Sequence, residues 1–184
     1  MFFYHCSPLS GITVLEPNAS KLFGGEKIVY MTSLMPMALM YGISHFEYTY
    51  GYHWIGGRPA GIYYYEYFLN ALEELYGGKR AYLYTCADGD FQTTKKPNEY
   101  ISKVPVKVLT ETVIEDLYQA IIRMEVEGAL EIIRYEDATD KMLSWIRKAE
   151  ADTILEHHLL EEESDFAVYM REKYPDSWQD AIMQ

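Results

Sequence analysis

The sequence is poor in cysteine, in basic residues and in long apolar runs. Its two cysteines, Cys6 and Cys86, have no metal-ligand spacing, which argues against a zinc module or a disulfide scaffold and for two free thiols in a cytoplasmic protein. No run of ~18 apolar residues occurs, so neither a transmembrane helix nor a membrane partner is expected. The opening MFFYHCSPLSG has neither a basic nor a long apolar stretch, and a signal peptide is not expected. Sixteen Lys and Arg against 28 Asp and Glu give a net charge of −12, which repels nucleic-acid phosphates and disfavours general DNA or RNA binding. The pair Gly24-Gly25 lacks the Lys-Ser/Thr ending of a phosphate-binding loop, and neither Gly-x-Ser-x-Gly nor His-Glu-x-x-His is present. His157 and His158 are adjacent on a predicted helix and point about 100° apart, a poor arrangement for one metal. No metal site is expected.

Tyrosine is what the chain has in excess. There are 18, clustered at Tyr48, Tyr50, Tyr52 and at Tyr63, Tyr64, Tyr65, Tyr67. Tyrosine buries a ring while keeping a hydroxyl for a polar partner. Such clusters fit the wall of a ligand cleft, a partner-facing surface or a half-wet core. Hydrophobic residues are 49% of the 184, enough for one packed domain with a helical appendage. The late acidic group Glu161, Glu162, Glu163 and Asp165 reads as a solvated helix face.

The pattern mixes strands and helices early and turns helical late, an α+β order. Met1 to Tyr4 is a predicted strand that delivers His5. Residues 6–25 read as loop, and Ile28 to Met31 as a second strand. Ser33 to Tyr41 reads as a helix with Ser33 as cap and Pro36 in its first turn. Residues 42–61 have no clear period. Tyr63 to Tyr76 reads as a helix closed by Gly77 and Gly78. Arg80 to Cys86 reads as a strand, and Glu99 to Leu109 as a strand interrupted at Pro105. Thr112 and Glu115 suggest a capping box for a helix carrying Leu117, Ile121 and Ile122. Leu130 to Tyr135 is a further predicted strand, with helices over 140–157 and about 164–182.

Three segments acquire meaning together: Phe3-Tyr4-His5-Cys6-Ser7, Ile28-Val29-Tyr30-Met31-Thr32 continuing to Tyr41, and Asn98-Glu99-Tyr100-Ile101. Over roughly the first 110 residues they resemble the H-Y-E class of ADP-ribosyltransferase folds, which includes the poly(ADP-ribose) polymerases. There a first strand ends in His before a small residue and Ser or Thr. A second strand carries a Tyr, a following helix brings another, and an Asn-Glu-Tyr-Ile stretch holds the catalytic Glu. Tyr30 and Tyr41 stand eleven residues apart, as in that class.

The resemblance implies an α+β fold of split antiparallel sheets with flanking helices and a helical C-terminal tail. It places the NAD-binding domain at residues 1–136 and a helical extension packed on it at 137–184. It implies NAD as substrate and a site of His5, Cys6, Ser7, Tyr30, Ala38, Tyr41 and Glu99. Two tyrosine rings would sandwich the nicotinamide. His5 would bond a ribose hydroxyl, and the backbone of Cys6 would hold the amide. Glu99 would stabilise the oxocarbenium-like charge that develops as the glycosidic bond breaks. Lys95 and Lys96 could meet a pyrophosphate or an acidic acceptor, or be a solvated turn.

Two positions depart from the family pattern. Cys6 stands where Gly is usual, and Ala38 where a Ser bonds the amide. With the short chain, these point to mono-transfer onto a protein acceptor rather than chain elongation. The competing readings are an NAD-binding or interaction module with weak chemistry, a related RNA 2′-phosphotransferase, and a tyrosine-rich scaffold without a nucleotide. Against the phosphotransferase stands the lack of any arginine before Arg58.

Overall fold

The computed structural model describes residues 1–19 and 25–184; Gly24 of the Gly-Gly pair lies outside them. The chain divides into two compact units, Met1–Tyr63 with Leu72–Glu131, and Tyr64–Ala71 with Ile132–Gln184.

The first unit is built on an antiparallel sheet. In chain order its strands are β1 (Phe2–Ser7), β2 (Val14–Leu15), β3 (Asn18–Ala19) and β4 (Lys27–Thr32), then β7 (Ala81–Ala87), β8 (Gln92–Thr93), β9 (Glu99–Ser102) and β10 (Val106–Ile114). In space they run β2-β10-β7-β1-β4-β9-β8, with β3 on β4. The strands carrying His5, Tyr30 and Glu99 are therefore consecutive: β1, β4, β9. Tyr30 faces Ile101 and Thr32 faces Glu99 across the β4–β9 pair. Alternation sends Phe3, Val29, Met31 and Cys86 into one core with Leu15 and Val106. Helix α1 (Met35–Met40) and helix α3 (Leu117–Val126) belong to the same unit, with Leu117 and Ile121 buried.

Strands β5 (Tyr50–Ile55) and β6 (Arg58–Tyr65) join through Gly56-Gly57. Both glycines have positive φ, 57° and 76°, the backbone that a two-residue hairpin turn demands. The short strand β11 (Glu131–Ile133) lies beside β6 in this three-stranded sheet. The tyrosine run expected to be helical is thus strand. Ile62 and Tyr64 are buried while Tyr63 and Tyr65 are half-buried, a period of two that aromatic residues favour. Asn70 then turns with φ 59°, and the helix α2 is confined to Ala71–Tyr76.

The second unit has its own core, with Phe68, Ile146, Ile154, Leu159, Met170 and Trp178 among its members. Its helices are α4 (Asp140–Glu156), α5 (Asp165–Lys173) and α6 (Pro175–Ile182). Thr139 caps α4 and Ser164 caps α5 through their side-chain oxygens. The helix expected over 164–182 is two helices, because Pro175 cannot continue α5 and opens α6 instead.

Two caps also differ from expectation. Thr112 lies in β10, which runs to Ile114; Asp116 is the N-cap of α3 and accepts from the Gln119 N–H. For α1 the N-cap is Leu34 rather than Ser33, and the Leu34 N–H donates to the Thr32 hydroxyl at 3.0 Å. The architecture is α+β, and among the described residues no helix is long and apolar enough to cross a membrane.

Candidate functional site

The carboxylate of Glu99 is the most constrained charge of the sheet. It is 5% exposed, so its oxygens need donors inside the fold. The Tyr50 hydroxyl donates to Oε1 at 2.6 Å, and Thr94 Oγ1 stands 3.2 Å from Oε2. The Lys96 ammonium is 3.8 Å from Oε1. Because Tyr50 spends its single proton on Glu99, the 3.0 Å contact between the Tyr41 and Tyr50 hydroxyls is donated by Tyr41. The result is a directed relay, Tyr41 to Tyr50 to Glu99.

Each residue of Asn98-Glu99-Tyr100-Ile101 has a separate physical reason. Asn98 has φ 59°, a left-handed conformation that asparagine tolerates better than most residues. Its carbonyl accepts from the Ser33 N–H, 3.1 Å away. The Tyr52 hydroxyl donates to the Pro97 carbonyl at 2.7 Å, fixing the same turn. Tyr100 points to the opposite face and packs edge-on against Phe3, centroids 4.7 Å apart. Ile101 and Glu99 line the cleft.

That cleft has a volume of about 590 Å³ and is lined by Tyr30, Tyr41, Thr93, Thr94, Lys95, Lys96, Glu99 and Ile101. Tyr30 and Tyr41 meet with centroids 5.0 Å apart and planes at 52°. Tyr41 also stacks on Tyr48 at 4.5 Å and 22°. The Tyr30 hydroxyl is buried and has no partner in hydrogen-bonding geometry among the described residues. Burial, with Tyr41, Glu99 and Tyr50 nearby, pushes its ionisation far upward. Tyr50 is raised likewise, first by burial and then by its bond to Glu99. The phenols of this cluster therefore stay protonated and act as donors.

His5 occupies a second cleft of about 430 Å³, with Ser7, Leu9, Ile12, Glu16, Asn18 and Tyr30 among its walls. Tyr30 thus belongs to both clefts. Tyr4 pairs with Thr32 where β1 meets β4. One residue further on, His5 Nδ1 reaches the Tyr30 carbonyl at 2.9 Å. A carbonyl can only accept, so Nδ1 carries the proton and Nε2 of the neutral ring is an acceptor. Burial lowers the imidazole pKa, and the carbonyl bond opposes that in part. The loop at Leu9–Ile12 beside His5 is fastened by Tyr84 and Glu111. The Tyr84 hydroxyl is 2.6 Å from the Leu9 carbonyl and 2.8 Å from Glu111 Oε2, and the Gly11 N–H donates to that carboxylate at 2.6 Å.

The structure therefore brings Tyr30, Tyr41 and Glu99 together, and joins His5 and Ser7 to them through Tyr30. Cys6 and Ala38 line neither cleft. Cys6 is 4% exposed and its sulfur lies against Gly42, where a Cβ would come within 2.8 Å of it. Burial pushes this thiol up to about 12, well away from a nucleophile's range. Both cysteines are free. Ala38 is buried in α1 at 2% exposure. His157 packs edge-on against Phe166, and among the described residues no three His, Cys, Asp or Glu side chains form a metal-binding group.

Tyr50 and Thr94 were not among the residues singled out by sequence as site members. The alternation Tyr48-x-Tyr50-x-Tyr52 held the available signal, since residues two apart share one face of a strand. Thr94 carried none. No family model, curated protein or solved structure matches this chain.

Proposed function

We propose that the chain binds NAD and transfers a single ADP-ribosyl group to a protein acceptor, on a fold of the ADP-ribosyltransferase type. The observation that carries this reading is the Glu99 carboxylate, 5% exposed in a cleft walled by Tyr30 and Tyr41. Breaking the bond from ribose to nicotinamide builds positive charge on the sugar. A fixed carboxylate in a water-poor site stabilises that charge as it forms. Consecutive placement of β1, β4 and β9 supports the same reading, since these strands carry the three segments that resemble the H-Y-E class. The Nε2 acceptor of His5 suits a ribose hydroxyl. The Cys6 side chain faces Gly42, so it leaves its own backbone open to an amide.

The test is nicotinamide release by the purified chain in NAD, against Glu99→Gln. Gln keeps the shape and an acceptor for Tyr50 but loses the charge. Binding should persist, while turnover falls by about 10²–10³, the usual cost of removing one electrostatic stabiliser. Equal turnover by the two proteins would remove Glu99 from the chemistry.

One observation favours a second reading, an NAD-binding module with weak chemistry. Two stacking gaps of ~3.5 Å require rings ~7 Å apart, and Tyr30 and Tyr41 are at 5.0 Å. NAD that raises the melting temperature without ever losing nicotinamide would select this reading.

A further inference from the structure

The hydroxyl nearest the Glu99 carboxylate belongs to the protein itself. Tyr50 Oη donates to Glu99 Oε1 at 2.6 Å. A glycosyl acceptor stands in this position relative to its general base: an O–H within hydrogen-bond reach of the carboxylate that stabilises the sugar cation. The neighbouring phenols are turned elsewhere. Tyr52 donates to the Pro97 carbonyl, Tyr48 to the Ile43 carbonyl, and Tyr41 to Tyr50. The Lys96 ammonium is 3.4 Å from Tyr50 Oη and sits over the Tyr50 ring at 5.5 Å, placed to steady negative charge on that oxygen as its proton leaves.

We propose that Tyr50 is itself a modification site, an acceptor that this chain ADP-ribosylates with its own Glu99 as base. The proposal rests on the NAD-transferase reading above. In the step, Glu99 Oε1 takes the proton from Tyr50 Oη. An oxygen electron pair forms the bond to C1′ of the nicotinamide ribose. The C1′–nitrogen bond breaks, and its electron pair neutralises the pyridinium, so nicotinamide leaves uncharged. The net products are ADP-ribosyl-Tyr50, nicotinamide and one proton, from NAD and the phenol. Because burial keeps the phenol protonated, a base must remove the proton as the bond forms, and Glu99 is in place to do so. Thr94 on Oε2 leaves that second oxygen open to exchange for a ribose hydroxyl. The finished adduct fills the cleft, so self-modification ends after one round.

The experiment uses the full chain and NAD, read by three measurements: intact mass, fragment mapping of any adduct, and nicotinamide released. The expected result is a mass gain of one ADP-ribosyl unit on Tyr50, with one equivalent of nicotinamide. Tyr50→Phe should lose the adduct and Tyr52→Phe should keep it. Mapping in the unaltered protein stands whether or not either variant folds. Nicotinamide released without an adduct on Tyr50, or an adduct on Tyr30 or elsewhere instead, overturns the proposal. So does NAD that raises the melting temperature yet yields neither nicotinamide nor adduct. A melting temperature indifferent to NAD overturns the transferase reading beneath it, a distinguishable failure.

Discussion

The rings of Tyr30 and Tyr41 touch, with centroids 5.0 Å apart and planes at 52°. A flat ligand enters between them only if one ring moves by roughly 2 Å, the difference from two stacking gaps. Tyr41 is the partner with more to lose, being stacked on Tyr48 and bonded to Tyr50. On the proposed reading, Tyr41→Ala removes one stacking face worth up to about 1.5 kcal/mol, about a tenfold loss in NAD affinity. Tyr48→Ala frees Tyr41 to rotate and should weaken binding less, or strengthen it. Calorimetric titration of both variants checks this. Tighter binding by Tyr41→Ala would show that the ring obstructs the ligand instead of holding it.

Gly42 is required by close approach. A Cβ there would stand 2.8 Å from Cys6 Sγ, 3.0 Å from the Leu39 carbonyl oxygen and 3.1 Å from a Leu117 methyl. Two of these neighbours are buried side chains with little room to move. Gly42→Ala should therefore cost about 1–3 kcal/mol by overpacking, measured by urea unfolding. Adding Cys6→Gly should recover part of that loss and leave the backbone contacts strained. No recovery would mean that the carbonyl contact dominates.

How far the sequence could be read depended on whether the reason for a residue was local. The Asn98–Ile101 stretch was legible because each of its residues answers to strand alternation or a left-handed turn. Ser164 and Gly78 were legible for the same reason. The tyrosines at 63–65 misled because aromatic residues tolerate both periods, and pairing in the β5–β6 hairpin decided for strand. Tyr50 was hidden because its role comes from the Glu99 carboxylate, 49 residues away along the chain. Cys6 looked like a damaged ligand contact until the direction of its side chain, toward Gly42, was known.

Acid should weaken the fold before the carboxylates titrate. Burial holds the imidazoles of His5 and His45 below the ordinary range, more strongly than their carbonyl bonds to Tyr30 and Met40 raise them. The unfolded chain protonates both near pH 6.5, while the folded chain resists. Below that pH the unfolded state binds more protons, so stability falls as pH falls. Their contribution is intact above about pH 6.5 and is lost progressively beneath it. Melting temperatures measured from about pH 7.5 to 5.5 should decline. His5→Gln, which keeps a donor for the Tyr30 carbonyl, should flatten the slope. An unchanged slope would place the acid sensitivity elsewhere.

Asp116, rather than Thr112, should control the start of α3. Asp116 accepts from the Gln119 N–H at 3.1 Å and from the Gly78 N–H at 3.0 Å, so one carboxylate satisfies a free helix donor and ties down the turn after α2. Losing a single cap of this kind costs about 1 kcal/mol, and up to about 2 in protein hosts. Asp116→Ala should fall in that range, and the second bond argues for its upper part. Asp116→Asn keeps an acceptor for either N–H and should lose less than half as much. Thr112 is exposed in β10, where a β-branched residue is favoured for strand rather than as a cap. Thr112→Val should leave stability within a few tenths of a kcal/mol, as surface substitutions usually do. Urea unfolding of the three variants separates the two assignments. A larger loss for Thr112→Val than for Asp116→Ala would restore the capping box and move the helix start upstream.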